Sequence, residues 1–382
     1  MRLNLYSHIG NNSTSIYNKK ALKNSIVKNK IKLIAVLSTS LVLVMCTTKS
    51  DNHSNNDSSV ESNDSVIIRN KKYIKGCYPV YKNDTYPIDS VPFDQITHLT
   101  ICFAWPNADG TLFTSEINDI DTIVSKCHQN DVKAILNIGG AGVGEHFPTV
   151  SIDSVLRKKF ISNLTNYTVM HKIDGIEIDW EYWPTPEKVD TVVSSAIVSL
   201  FRDLRSALPN NLALSYDVYS GDWYGKHYPS ELINYADEIV IMAFDNTGSW
   251  SDIGHHSPPS LVDSSYNYWI RRIGLDNKNK VVISTPLYGY NFRKDHSKGS
   301  DSTVTTLVYN DVLNEHPEAY LQDTIVTDSS IFFHNSSTTF KQKIDFIKDN
   351  DLKGISIWEL SYDMGTKNKS LLKYINSEIN KK

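Results

Sequence analysis

Short apolar runs alternate along this chain with segments whose apolar positions recur every three or four residues. The runs at 73–78, 98–104, 132–138, 173–181, 212–219, 238–245, 281–288 and 353–360 read as strands, eight in all. Between them, 114–129 carries Ile117, Ile120, Ile123, Val124 and Cys127 at helical spacing, and 153–171 repeats the pattern with Leu156, Phe160, Leu164 and Tyr167. A helix after the fourth strand is expected to start with Thr185 as N-cap, Pro186 in the first helical position and Glu187 in the first turn. Val189, Val193, Ile197, Leu200 and Leu204 form its stripe. Further helices fit 261–273, 308–316 and 338–350. The longest connection, 289–352, reads as an elaborated loop with one or two helices and a short hairpin at 324–333.

Strand then helix, eight times over, predicts a parallel (β/α)8 TIM barrel in the α/β class. An open doubly wound sheet would carry fewer strands and a Gly-rich phosphate turn after the first, and no such turn is present. In a barrel, functional groups sit at the C-terminal ends of the strands.

The fourth strand breaks the apolar rule. Residues 174–183 read DGIEIDWEYW, with Glu177, Asp179 and Glu181 on one face and Ile176, Ile178 and Trp180 on the other. Three neighbouring acids in a low-dielectric interior cannot all ionise cheaply, so at least one pKa must rise. That is how a general acid is held protonated near neutral pH, and Glu181, at the strand end, is the candidate. A glycosidase of the common kind needs a second carboxylate across the substrate, for which Asp245, at the end of the sixth strand, is placed.

Charge and leader change the picture at the N-terminus. Residues 1–45 hold seven basic side chains and no acid, so of the 39 basic and 43 acidic residues the remainder keeps 32 and 43, a net −11. An acidic body argues against a nucleic-acid partner. The apolar run 33–45, LIAVLSTSLVLVM, is short for a membrane span and suits a signal-peptide core, and Cys46 follows it directly. LVMC resembles a bacterial lipoprotein signal, which implies a lipidated Cys46, export and attachment to a membrane of the cell envelope; the alternatives, an uncleaved anchor helix or an ordinary cleaved signal that leaves the protein secreted, also export the chain. Residues 46–70, rich in Ser, Asn and Asp, are expected to be a flexible tether, and 71–382 the folded barrel. Of the four cysteines, Cys46, Cys77, Cys102 and Cys127, none shows metal-ligand spacing, and Cys77 and Cys102 read as buried small hydrophobes on consecutive strands. His255 and His256 read as loop residues. No metal and no cofactor is expected.

DGIEIDWEYW resembles the D-G-x-D-x-D-x-E signature of glycoside hydrolase family 18, the chitinase family. KAILNIGG (133–140), IMAFD (241–245), STPLYGY (284–290) and GISIWELSYD (354–363) resemble its third-, sixth-, seventh- and eighth-strand motifs in the right order. The resemblance implies a retaining mechanism in which the substrate's own 2-acetamido oxygen attacks the anomeric carbon while Glu181 protonates the leaving oxygen. It also implies that Asp179 holds the acetamido nitrogen and that Trp358 floors the sugar site. The substrate implied is a polysaccharide or glycan containing N-acetylglucosamine, cut at β-1,4 bonds. Only 69 residues separate Tyr288 from Trp358, so no full-size inserted α+β domain is expected between strands seven and eight, and a shallow cleft favours an endo-type cut.

Four departures stand out. Glu177 replaces the middle aspartate, Asn137 a serine, Cys77 a tyrosine, and Phe244 the tyrosine whose hydroxyl in the family donates to the acetamido oxygen. Tyr216 and Asp217 on the fifth strand are candidates to rebuild that donor. Trp105, Trp183, Trp223 and Trp250, with Tyr288 and Tyr290, follow strands and suit the C–H faces of sugars. Weakened catalysis on the same scaffold would leave a carbohydrate-binding surface lipoprotein.

Overall fold

In a computed structural model, described for residues 72–181 and 188–381, all eight expected strands are present. They are β1 (Tyr73–Pro79), β2 (His98–Pro106), β4 (Lys133–Gly139), β5 (Gly175–Asp179), β6 (Ala213–Tyr219), β7 (Glu238–Met242), β8 (Val281–Pro286) and β13 (Gly354–Trp358). Each pairs in parallel with the next, and β1 pairs with both β13 and β2, so the sheet closes on itself as a barrel. A two-residue strand, β3 (Leu112–Phe113), folds back antiparallel on the end of β2.

Alternation decides what each strand buries. Ile176 and Ile178 of β5 point outward into the apolar layer under the helices and are almost fully buried there. Their neighbours Glu177 and Asp179 point into the barrel, where the facing side chains are polar. The register places Asn137 of β4 and Ser215 of β6 on either side of Glu177.

The surrounding helices are α1 (Ile120–Gln129), α2 (Phe147–Ile152), α3 (Ser154–Met170), α4 (Thr191–Ala207), α5 (Asp222–Gly225), α6 (Pro259–Ile273), α7 (Tyr309–Glu315), α8 (Ser337–Asp349) and α9 (Leu371–Ile379). Helix α4 starts later than its sequence suggests. Its N-cap is Asp190, whose carboxylate accepts from the backbone N–H of Val192 at 2.9 Å and Val193 at 3.1 Å. Val189 therefore precedes the helix, while the expected cap at Thr185, Pro186 and Glu187 lies outside the described residues. The leader, Cys46, the tether and Trp183 also lie outside them.

Strand seven is shorter than expected, ending at Pro286. Tyr288 opens a new strand, β9 (Tyr288–Arg293), which forms an antiparallel sheet with β10 (Val304–Val308), β11 (Thr324–Val326) and β12 (Ser330–Phe333) in the order β10-β9-β12-β11. The expected hairpin at 324–333 is half of this sheet. With α7 it makes a compact elaboration of the loop rather than a large inserted domain. No helix among the described residues is long and apolar enough to cross a membrane.

Candidate active site

The fourth barrel strand delivers its acids as alternation requires, up to a point. β5 ends at Asp179, and the N–H of Glu181 turns back to the Asp179 carbonyl at 3.1 Å, so Glu181 leaves the strand rather than extending it. Room for this turn comes from glycine. Gly139 has φ +120°, and a Cβ there would lie 1.9 Å from the Asp179 carbonyl oxygen; at Gly144 a Cβ would lie 2.3 Å from that of Glu181.

Asp179 is buried and hydrogen-bonds through its side chain to Glu181. Burial and the charges of Glu181 and Glu177 hold its pKa well above the ordinary range, so Asp179 is the protonated partner. Glu181 is pushed up to about 7, chiefly by burial. A hydrogen bond from the Tyr219 hydroxyl at 2.9 Å and the bond to Asp179 oppose the rise, while the charge of Asp245 adds to it. The arrangement is a carboxylic acid still carrying its proton near neutral pH.

Glu177 is not the unpaired third acid that its sequence suggests. Lys75, fully buried on β1, reaches across the barrel to salt-bridge Glu177, and also bonds Glu238 at 3.0 Å. Glu238 is shared further with Lys353 at 2.8 Å and with the Tyr73 hydroxyl at 2.7 Å. Ser215 donates to Glu177 at 3.0 Å and Asn137 reaches it at 3.4 Å. A cation that no motif singled out therefore neutralises the deepest part of the cluster. The visible signal was Lys75 at an inward position of an otherwise apolar strand.

Asp217 joins the cluster from β6. It is buried, Asn137 reaches it at 3.5 Å, and burial together with Glu177 and Asp179 holds its pKa well above the usual carboxylate range. Tyr216 does not join. One residue away on a strand, it faces outward with its ring edge on Phe201 of α4 at 5.4 Å, so it offers nothing to a ligand in the barrel.

Across the mouth, Asp245 sits at φ +56°, a left-handed conformation that Asp tolerates better than most residues. Its Oδ1 accepts from the hydroxyls of Tyr288 at 2.5 Å and Tyr290 at 2.9 Å, and His256 Nδ1 lies 3.3 Å away. His256 is buried and bonds the Tyr288 carbonyl at 3.1 Å, so one of the loop histidines supports the site. Phe244 meets Tyr288 edge-on at 6.4 Å. Trp358, half-buried, packs on Phe103 at 5.7 Å and against the Tyr288–Tyr290 cluster, which Trp250 also joins. Behind Trp358, buried Glu359 accepts from Tyr81 at 2.9 Å and pairs with Lys82. Trp105 stacks on Phe113 of β3 at 4.2 Å, and Trp223 stands half-exposed beside Tyr224. Cys77 lies 3.9 Å from Ser356, and Cys77, Cys102 and Cys127 are all free and buried. Among the described residues no His, Cys, Asp and Glu cluster could hold a metal ion.

A closed parallel barrel here carries a buried carboxyl pair, with raised proton affinity, at the C-terminal ends of its strands, where barrel proteins place their functional groups, and aromatic side chains ring it. The family model for glycosyl hydrolases family 18 matches residues 75–363, and the chain belongs to that family. Among similar proteins are a chitinase-like effector of Moniliophthora roreri, 26% identical over 62% of this chain and 63% of that one, and Chitinase 1 of Aphanocladium album, 27% identical over 58% and 60%. The chain thus spans about three fifths of the length of these curated relatives. A chitinase from Bacteroides thetaiotaomicron superposes with a TM-score of 0.70 at 25% identity, covering 81% of this chain and 96% of that one.

Proposed function

We propose that this chain hydrolyses β-1,4 glycosidic bonds next to N-acetylglucosamine in chitin, chito-oligosaccharides or a related glycan, with retention and with Glu181 as general acid and base. The observation that carries this reading is the Asp179–Glu181 pair. A carboxyl held protonated near neutral pH at a strand end can give its proton to a leaving glycosidic oxygen. Asp245 already accepts from two phenols on one oxygen, which favours a role in binding and orientation over attack on the sugar. The substrate's acetamido oxygen is the nucleophile that suits such a site. Trp358 and the other aromatic side chains supply faces for sugar rings.

The test compares wild type with Glu181→Gln on chito-oligosaccharides, a glycoprotein glycan and peptidoglycan. Turnover by wild type that falls by at least about a hundredfold in the variant is expected, the usual contribution of a general acid. Sugar binding without turnover on any of the three would refute the enzyme and leave the second reading, a carbohydrate-binding barrel, which the missing hydroxyl at Phe244 favours. Phe244→Tyr separates the two further: a rise in rate on an acetamido sugar is expected if the lost hydroxyl limits turnover.

We also propose that the chain is exported and anchored through a lipid on Cys46, as the basic leader, the apolar run and the Ser- and Asn-rich stretch support. Cys46→Ser is expected to abolish metabolic labelling by a radioactive fatty acid and to shift the protein from the membrane to the soluble fraction.

A further inference from the structure

We propose that Tyr219 is a positioning residue for the acid, fixing the Glu181 carboxyl through its hydroxyl and setting the pH range in which Glu181 works. The inference rests on the glycosidase reading and deepens it. Tyr219 is the last residue of β6, two beyond Asp217 and on the same inward face, and β6 lies between β5, which Glu181 follows, and β7. Its hydroxyl donates to Glu181 Oε2 at 2.9 Å.

The ring is held from behind. It packs on Tyr224 at 4.8 Å and Tyr228 at 6.3 Å, and the Tyr219 carbonyl accepts from Trp269 Nε1 at 2.8 Å. Tyr228 in turn donates its hydroxyl to the carbonyl of Trp180 at 3.0 Å, and Trp269 meets the Tyr228 ring edge-on. One aromatic shelf therefore grips both the donor and the backbone immediately before the acid. A donor fixed this way reaches Glu181 in one geometry and loses little entropy in doing so.

The chemical effect has a definite sign. A hydroxyl donating to a carboxylate favours the ionised form, so Tyr219 restrains the upward push of burial on Glu181. Too strong an upward push would leave Glu181 a poor acid, unable to release its proton to the leaving oxygen and then to take one from water as base.

The experiment is Tyr219→Phe, read in two ways. In protein labelled with 13C at the glutamate carboxyl, the resonance absent from Glu181→Gln belongs to Glu181, and its titration midpoint is expected to rise by at least half a pH unit in Tyr219→Phe. The alkaline limb of kcat/KM is expected to rise in step, with kcat about five- to tenfold lower at the wild-type optimum and KM little changed, the scale of one ordinary hydrogen bond. Replacing Tyr219 with 3-fluorotyrosine keeps the ring and strengthens the donor, and is expected to move both midpoints down. Unchanged midpoints in both variants would overturn the proposal, as would a loss of kcat without a shift. The carboxyl titration does not need turnover. It therefore still decides the role of Tyr219 if the wild type proves inactive on every glycan tried.

Discussion

Burial raises the proton affinity of Glu181, and the bonds from Tyr219 and Asp179 limit the rise. The ordinary glutamate value of 4.5 applies to the unfolded chain and about 7 to the fold, so the folded state holds the proton more tightly. Stability from this source is fully present below pH 4.5 and is lost as pH rises through 7, an amount on the order of 3 kcal/mol. Glutamine cannot ionise. Glu181→Gln is therefore expected to be more stable than wild type at pH 8, with the difference vanishing near pH 4, as chemical denaturation at the two pH values would reveal. Equal stability at both would mean that Glu181 is solvated like a surface carboxylate. The same residue explains why a strand reading served so well here: Glu177 and Asp179 share a face by alternation alone, although Glu181 reaches them by a turn. Tyr216 shows the limit of adjacency. A neighbour of Asp217 in sequence, it faces the opposite way.

At the scale of elements, Lys75 ties β1 to β5 and β7 through Glu177 and Glu238, inside a barrel that closes only where β1 meets β2 and β13. Removing one partner of a buried pair leaves a charge uncompensated, at a cost of about 3–5 kcal/mol. Lys75→Met is expected to lose stability on that scale. Lys75→Met with Glu177→Gln is expected to recover part of it, since Glu238 keeps Lys353 and Tyr73. Urea unfolding of Lys75→Met, Glu177→Gln, the double variant and wild type measures the coupling. An additive outcome would deny the pair any energetic role. The eight strands and most helices were legible because each carries a clean period. The start of α4 was not, because Asp190 and Thr185 are both good caps and only the folded chain shows which carboxylate or hydroxyl the first N–H groups meet. The sheet of β9 to β12 was also half hidden. β9 follows β8 after a single residue, so its first residue, Tyr288, reads as the end of strand seven and the rest of it as loop.

For the whole molecule, a second buried lysine sets a pH dependence of its own. Lys343 on α8 bonds Ser257 at 2.7 Å, Thr285 at 2.9 Å and Asn335 at 3.2 Å, all neutral acceptors, and burial holds its pKa well below 10.5. The unfolded chain then binds a proton that the fold has released, so stability rises with pH between the folded value and 10.5. Thermal melts across that range are expected to climb more steeply for wild type than for Lys343→Met. Parallel curves would show that Lys343 keeps its proton in the fold. These interactions join segments far apart in the chain, and no local pattern announces them.

The sequence by itself determined the strand order, the barrel and the family, and singled out Glu181 as the candidate acid. These follow from period, from alternation and from a motif contained within ten residues, where the physics is local. The tertiary structure alone decided that Lys75 neutralises Glu177, that Tyr219 rather than Tyr216 meets the acid, and that His256 stands behind Asp245. Each of those outcomes depends on which side chains from distant strands share the space inside the closed barrel, and closure is a property of all eight strands together.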